Sequence, residues 1–433
     1  MKKRITNLIR ALSINLFVRG GFLLTGATFL TGFLNYLFNI FVGRSLGPEG
    51  LGEITALFSY LVVISIPLGI FNTVLIQKMS SHNKPKLFAS KLHEWIVTMT
   101  KKWWIILVFI LLTAPFLPNI TSLSLAASWA VPLLIVFALL GSFYNSALQG
   151  LHLFYWFTVI GVISTLLKLT GATIVFLGYG TIDTVILFIV ISSSVPVLLS
   201  QYVFKKHVNI RVKKAISNTF IRHLFDNRQL ALTTCSTGAL ALLNNVDILY
   251  VKKMFSPQDA GIYSSWALFA KLLLFALGPI ITTSYIFFSS NKHLTHHKRT
   301  SLILILLLGF AGLLMSFVYQ WYGAWMVTRF FGNAFIPVIP YLRLAAYYGS
   351  GYMMMIFMTN YFLAKKSLLS LTPALLFPVY LGALMIYPQS IKDIMHINIV
   401  FTSVVVLMLL IGFLKTKQLR TIFRSWFEIL FQH

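Results

Sequence analysis

Long apolar segments follow one another along almost the whole chain, and no other feature restricts its possible folds as much. They fall at about 17–42, 51–76, 103–118, 129–149, 154–177, 184–204, 230–251, 260–287, 301–320, 335–362, 368–387 and 397–414. A helix needs about 20 such residues to cross roughly 30 Å of hydrocarbon. With 58% hydrophobic residues, 10% charged residues and a mean hydropathy of +0.83, too little polar material remains to build a water-facing surface. Lipid offers the backbone no hydrogen-bond partners, so each span must be a helix; a barrel would show alternating segments of about ten residues, which this chain lacks. The sequence therefore predicts an all-α integral membrane protein with about 12 transmembrane helices.

The charges orient these helices. Thirty-five Lys and Arg face nine acidic residues, for a formal net charge of +26. Alternate loops hold Lys2, Lys3, Arg4 and Arg10, then six lysines from Lys78 to Lys102, then seven cations from Lys205 to Arg228. The series continues with Lys292, Lys298 and Arg299, then Lys365 and Lys366, and closes on Lys415, Lys417, Arg420 and Arg424. The opposite side carries Arg44, Lys252, Lys253, Arg329 and Lys392. By the positive-inside rule both termini are expected in the cytoplasm. Cations scattered among apolar runs do not form the single basic surface a nucleic acid requires, so no nucleic-acid partner is expected. Cys235 is the only cysteine, which excludes an intramolecular disulfide and a cysteine-based metal cluster. The basic N-terminus resembles that of a signal peptide, but Arg19 interrupts the apolar stretch and no small-x-small site follows, so the segment is read as a retained span.

Two basic segments carry apolar residues at helical spacing: Ile216, Phe220, Ile221, Leu224 and Phe225 before the seventh span, and Leu419, Ile422, Phe423, Trp426 and Leu430 in the tail. Residues 84–100 show a weaker version. Such faces are expected to lie on anionic inner-leaflet lipid, with partner binding as the alternative. His293, His296 and His297 sit in a basic loop with no nearby carboxylate, so no metal is assigned. No phosphate-cradling glycine loop appears, and no cofactor is expected.

The chain repeats itself. Slid by about 209 positions, Gly43-Arg44-Ser45-Leu46-Gly47-Pro48-Glu49-Gly50-Leu51-Gly52 falls against Lys252-Lys253-Met254-Phe255-Ser256-Pro257-Gln258-Asp259-Ala260-Gly261. Both read as helix, basic residue, proline turn, glycine, helix, and a tight turn calls for proline and glycine. Leu148-Gln149 and Thr359-Asn360 form a looser echo. Both copies begin on the same side, which predicts two six-helix lobes related by a pseudo-two-fold along the membrane normal. Residues 1–204 and 230–414 would be the lobes, 205–229 a basic cytoplasmic linker and 415–433 a basic amphipathic tail.

The first hairpin, residues 41–52, resembles that of the oligosaccharide (O-antigen type) flippases in the multidrug/oligosaccharidyl-lipid/polysaccharide exporter superfamily. Asn244-Asn245-Val246-Asp247-Ile248-Leu249, followed by Pro257 and Gly261-Ile262-Tyr263-Ser264, is similar to that family's seventh and eighth helices. Ser256-Pro257 replaces the family's usual Gly-Pro. The resemblance implies an alternating-access transporter in a bacterial or archaeal cytoplasmic membrane, not an enzyme. Its partner would be a lipid-linked oligosaccharide of the polyprenyl-phosphate type. A monomer is expected, with polysaccharide-assembly proteins as candidate associates.

Four cations remain within or at the edges of spans: Arg19, Lys168, Lys271 and Arg343. A charge at mid-membrane normally faces a wet cavity or pairs within the bundle. Lys168 and Lys271 lie near mid-span, Arg343 about two turns from the outer end of span ten, and Arg19 near the cytoplasmic interface, where snorkelling competes. Asn35 with Asn39, and Asn145 with Gln149, suit either sugar hydroxyls or a neighbouring helix. Asp247, beside Lys252, Lys253, Asn244 and Asn245, reads as bonded to its own helix end in preference to coupling an ion. Cations with so few acids favour a phosphate-bearing cargo over the lipophilic cations of a drug exporter. A membrane-embedded glycosyl- or acyltransferase is the other alternative, but the acids of the outer loops, Glu49, Asp183, Asp259 and Asp393, stand isolated.

Overall fold

The computed structural model describes residues 16–208, 228–289, 294–386 and 388–415. The amphipathic linker and tail, and the side chains of Arg19, His293, His296 and His297, lie outside the described residues. Helix α1 (Leu16–Ile64) carries the first span and the start of the second, broken at Gly47. There φ is 68°, a left-handed value that a side chain disfavours, and Pro48 follows. Helix α2 (Ile66–Ser81) continues the second span past a kink at Ser65, where Pro67 cannot donate to the carbonyl of Val63. Then come α3 (Pro85–Lys102), α4 (Trp104–Leu112), α5 (Leu117–Thr121), α6 (Leu125–Gly150), α7 (Phe154–Phe176) and α8 (Ile182–His207).

The second half holds α9 (Arg228–Leu243), α10 (Val246–Met254), α11 (Pro257–Ser289), α12 (Leu294–Phe330), α13 (Leu342–Ala364), α14 (Thr372–Ile386) and α15 (Ile391–Leu414). Among the described residues, nine helices are long and apolar enough to cross a membrane. The expected seventh span is divided into α9 and α10 at Asn244–Asn245. The chain is a multi-pass, all-α membrane protein.

Two compact units emerge. The first contains Met1–Leu230 and also Lys252–Gly261; the second contains Ala231–Val251 and Ile262–His433. In the first, α7 packs between α1 and α8, while α6 packs on α8 and α2. In the second, α13 packs on α12 and α15, and α14 on α15.

Two expectations need correction. Residues 84–100 do form an amphipathic helix, α3, but its face is occupied by protein. Phe88, Ala89 and Leu92 are buried with Val74, Met79 and Phe143, and Trp95 packs against them. Burying such a face against the bundle is the usual source of stability for a short helix, and this one is not free to lie on lipid. Span ten, predicted to begin at 335, is 3₁₀ over Asn333–Tyr341 because Pro337 and Pro340 remove two donors. The α-helix starts only at Leu342.

Candidate functional site

Lys168 projects from α7 toward α1. Its Nζ donates to Asn35 Oδ1 and stands 4.8 Å from the ring centroids of both Phe38 and Phe58. Asn39 Nδ2 donates to the Asn35 backbone oxygen at 2.8 Å, holding that turn of α1. Neutral oxygens and aromatic faces stabilise an ammonium without cancelling its charge. Among the described residues no carboxylate lies within ion-pair distance of Lys168. Tyr36 Oη is buried nearby in sequence with no hydrogen-bond partner among the described residues. Lys168 and Asn35, far apart in the chain, thus meet, with Asn39 one turn further along α1.

The first unit also contains a cavity of about 370 Å³ between α2, α6, α7 and α8. Its polar lining includes Asn72, Asn145, Ser142, Ser164, Ser192 and Ser193. Asn145 Oδ1 accepts from Ser200 Oγ at 3.3 Å, and Asn72 Oδ1 from Ser146 Oγ at 2.9 Å. Gln149 does not line this cavity; its Nε2 donates back to the Asn145 backbone oxygen at 3.5 Å.

In the second unit, Lys271 Nζ donates to the Asn244 carbonyl at 3.1 Å, capping the break between α9 and α10. Asp247 is buried at 1% exposure. Its Oδ2 accepts from Tyr263 Oη at 2.5 Å and from Asn398 Nδ2 at 2.9 Å, and Asn398 Oδ1 accepts from Tyr380 Oη at 2.6 Å. Its expected neighbours are not its partners, because Lys252 points elsewhere. Arg343 is the second residue of α13 and is exposed, with Nη2 donating to Tyr347 Oη at 3.2 Å. Nine residues of 3₁₀ helix, Asn333–Tyr341, precede it.

Sequence reasoning overlooked Glu53. Its Oε2 pairs with Lys252 Nζ at 2.6 Å, both side chains being 7% exposed, and its Oε1 accepts from the Ser124 backbone N–H at 2.6 Å. The pair ties together the two repeat-related turns, whose backbones nearly touch within the first unit. A Cβ at Gly261 would fall 1.8 Å from the Pro48 oxygen, and one at Gly52 2.9 Å from the Gly261 nitrogen. These glycines serve close approach, whereas Gly47 alone in the two motifs has a positive φ. The repeat alignment was the available signal, because it placed Gly52 opposite Gly261 with Glu53 next in line. Two of the four loop acids are occupied locally: Asp259 bonds Ser256, and Asp393 bonds Ser390.

The profile of the family described as "Polysaccharide biosynthesis protein" matches residues 17–292. The chain belongs to this family. A comparison with curated proteins found no match. Among solved structures, this family member is similar to an inward-facing multidrug resistance MATE family transporter of the MOP superfamily, with 14% identity over 89% of this chain and 96% of that one and a TM-score of 0.69. It is similar to the lipid II flippase MurJ in an inward closed conformation, with 15% identity, 89% and 86% coverage and a TM-score of 0.65. A Vibrio cholerae MATE transporter, VcmN, gives 14% identity, 92% and 96% coverage and a TM-score of 0.63. At these identities the likeness establishes the fold, which is that of the MOP superfamily.

Proposed function

We propose that the protein is an alternating-access transporter that carries a lipid-linked oligosaccharide, of the polyprenyl-phosphate type, from the cytoplasmic to the outer leaflet for cell-surface polysaccharide assembly. It would work in a bacterial or archaeal cytoplasmic membrane with both termini inside, residues 1–204 and 230–414 acting as the two moving halves.

The observation that carries this reading is the environment of Lys168: a membrane-embedded cation held by neutral partners and left uncompensated. A cation in that state attracts a phosphate or diphosphate, and desolvation strengthens the attraction. The family description supplies the polysaccharide context. The MurJ likeness adds a flippase of the same fold. Export of lipophilic cations would require an exposed carboxylate in the transport path. Among the described residues the buried acids are Glu53, already neutralised by Lys252, and Asp247, enclosed by Tyr263 and Asn398.

The test is Lys168→Ala beside Lys168→Arg in a strain whose surface polysaccharide depends on this protein. Loss of surface polysaccharide with Ala, normal membrane levels of the protein, and partial recovery with Arg are expected. Undiminished export by Lys168→Ala would remove the assignment.

A further inference from the structure

The cavity between α2, α6, α7 and α8 has a hydrogen-bonding character that the Lys168 cluster does not explain. Ser142 Oγ donates to the Leu139 oxygen at 2.8 Å, Ser192 and Ser193 to the Ile189 oxygen at 2.8 and 3.1 Å, and Ser164 to the Ser192 oxygen at 2.7 Å. Four of the five lining serines therefore spend their protons on carbonyls, and those hydroxyl oxygens keep lone pairs for the cavity. The two asparagines are set the other way. Their Oδ1 atoms accept from Ser146 and Ser200, which leaves both amide nitrogens as unpartnered donors in the wall. No Lys, Arg, His, Asp or Glu lines the cavity, and Leu68, Phe137 and Pro196 complete it with apolar surface.

Fixed acceptors beside fixed donors, without charge, match a ligand whose groups both donate and accept and whose remaining surface is C–H. Hydroxyls on a sugar ring do this. A phosphate or a carboxylate would be desolvated there with no counter-charge, which is costly. At about 370 Å³ the cavity is near the lower end of small-molecule sites. That is room for one or two sugar rings, not a whole oligosaccharide.

We propose that this cavity is a subsite for a neutral sugar residue of the cargo, separate from the Lys168 cluster that takes its charged end. The proposal rests on the flippase reading above and adds where, and by which atoms, the sugar is discriminated.

The full-length protein in proteoliposomes tests it with two cargoes: a polyprenyl diphosphate bearing a neutral oligosaccharide, and the same carrier bearing no sugar. The wild type should move the longer cargo faster. In Asn72→Leu/Asn145→Leu that preference should fall about tenfold, which corresponds to about 1.4 kcal/mol. An unchanged preference, or an equal loss for both cargoes, would overturn the subsite.

A second arm does not depend on transport. In a Cys235→Ser background, which leaves no other cysteine, Ser193→Cys is labelled with a neutral water-soluble maleimide. Maltotriose should slow labelling at least about threefold, and sodium chloride or potassium phosphate should not. Protection by sodium alone would make the cavity a cation site and refute the proposal. If the wild type moves neither cargo yet maltotriose protects, the flippase reading fails and the sugar site stands.

Discussion

Breaking the Glu53–Lys252 pair should strongly destabilise the first unit. Both side chains are 7% exposed and 2.6 Å apart, so removing one leaves a charge in a site with almost no water. Such losses run to about 3–5 kcal/mol, whereas replacing both members with neutral groups of similar size is often close to neutral. Glu53→Gln retains an oxygen for the Ser124 N–H and isolates the charge effect. Glu53→Ala also orphans that N–H, adding about 1–3 kcal/mol. For a unit of 150–250 residues, roughly 2–4 °C of Tm is lost per kcal/mol, so Glu53→Gln and Lys252→Met should each lower the unfolding midpoint in detergent by about 6–20 °C. The double variant Glu53→Gln/Lys252→Met should recover most of that. The cycle is measured by thermal unfolding of the purified variants under one set of detergent conditions. Single variants within about 1 °C of the wild type, or effects that simply add in the double, would show that the pair is not a desolvated, mutually dependent one.

Gly261→Ala should block assembly of the two turns, because its Cβ has no room beside Pro48; folded yield by size-exclusion chromatography should collapse, while Gly161→Ala, which meets nothing within 4 Å, should behave as wild type. Phe88→Ala should undock α3 and cost about 3–5 kcal/mol, visible as new proteolytic cleavage between residues 82 and 103. Burial holds the His93 imidazole below its ordinary value, Glu94 opposing and Lys205 reinforcing that shift. The fold therefore keeps His93 neutral where the unfolded chain takes a proton. Its contribution is complete above about pH 6.5 and is lost as pH falls from there through the folded-state value. Thermal stability should decline over that interval, and His93→Phe should flatten the decline.

The apolar runs made the helices legible because lipid leaves a long hydrophobic segment no other structure, and the proline turns were legible because two copies occur. What escaped the sequence is long-range or distributed. Lys168 was recognisable as costly, but its partners Asn35, Phe38 and Phe58 lie on α1, more than a hundred residues earlier. Glu53 looked like the end of an apolar run until Lys252, about two hundred residues away, supplied its counter-charge. The serines of the cavity are ordinary membrane-helix residues one by one, and only the packing of four helices gathers them. Asp247 was misread because sequence neighbours were taken as spatial ones; at a helix break, Lys252 lies beyond its reach and Tyr263 and Asn398 fill the place. Residues 84–100 showed an apolar face, and periodicity alone does not distinguish one covered by protein from one covered by lipid.

The central claim is that this fold moves an anionic lipid-linked sugar, and the direct measurement is leaflet exchange in proteoliposomes. A polyprenyl-diphosphate oligosaccharide and a lipophilic cation are presented to the wild type and to Lys168→Ala. The account predicts transport of the anionic cargo by the wild type, loss of that transport in Lys168→Ala, and no protein-dependent movement of the cation. Transport of the cation with the anionic cargo left in place would contradict it.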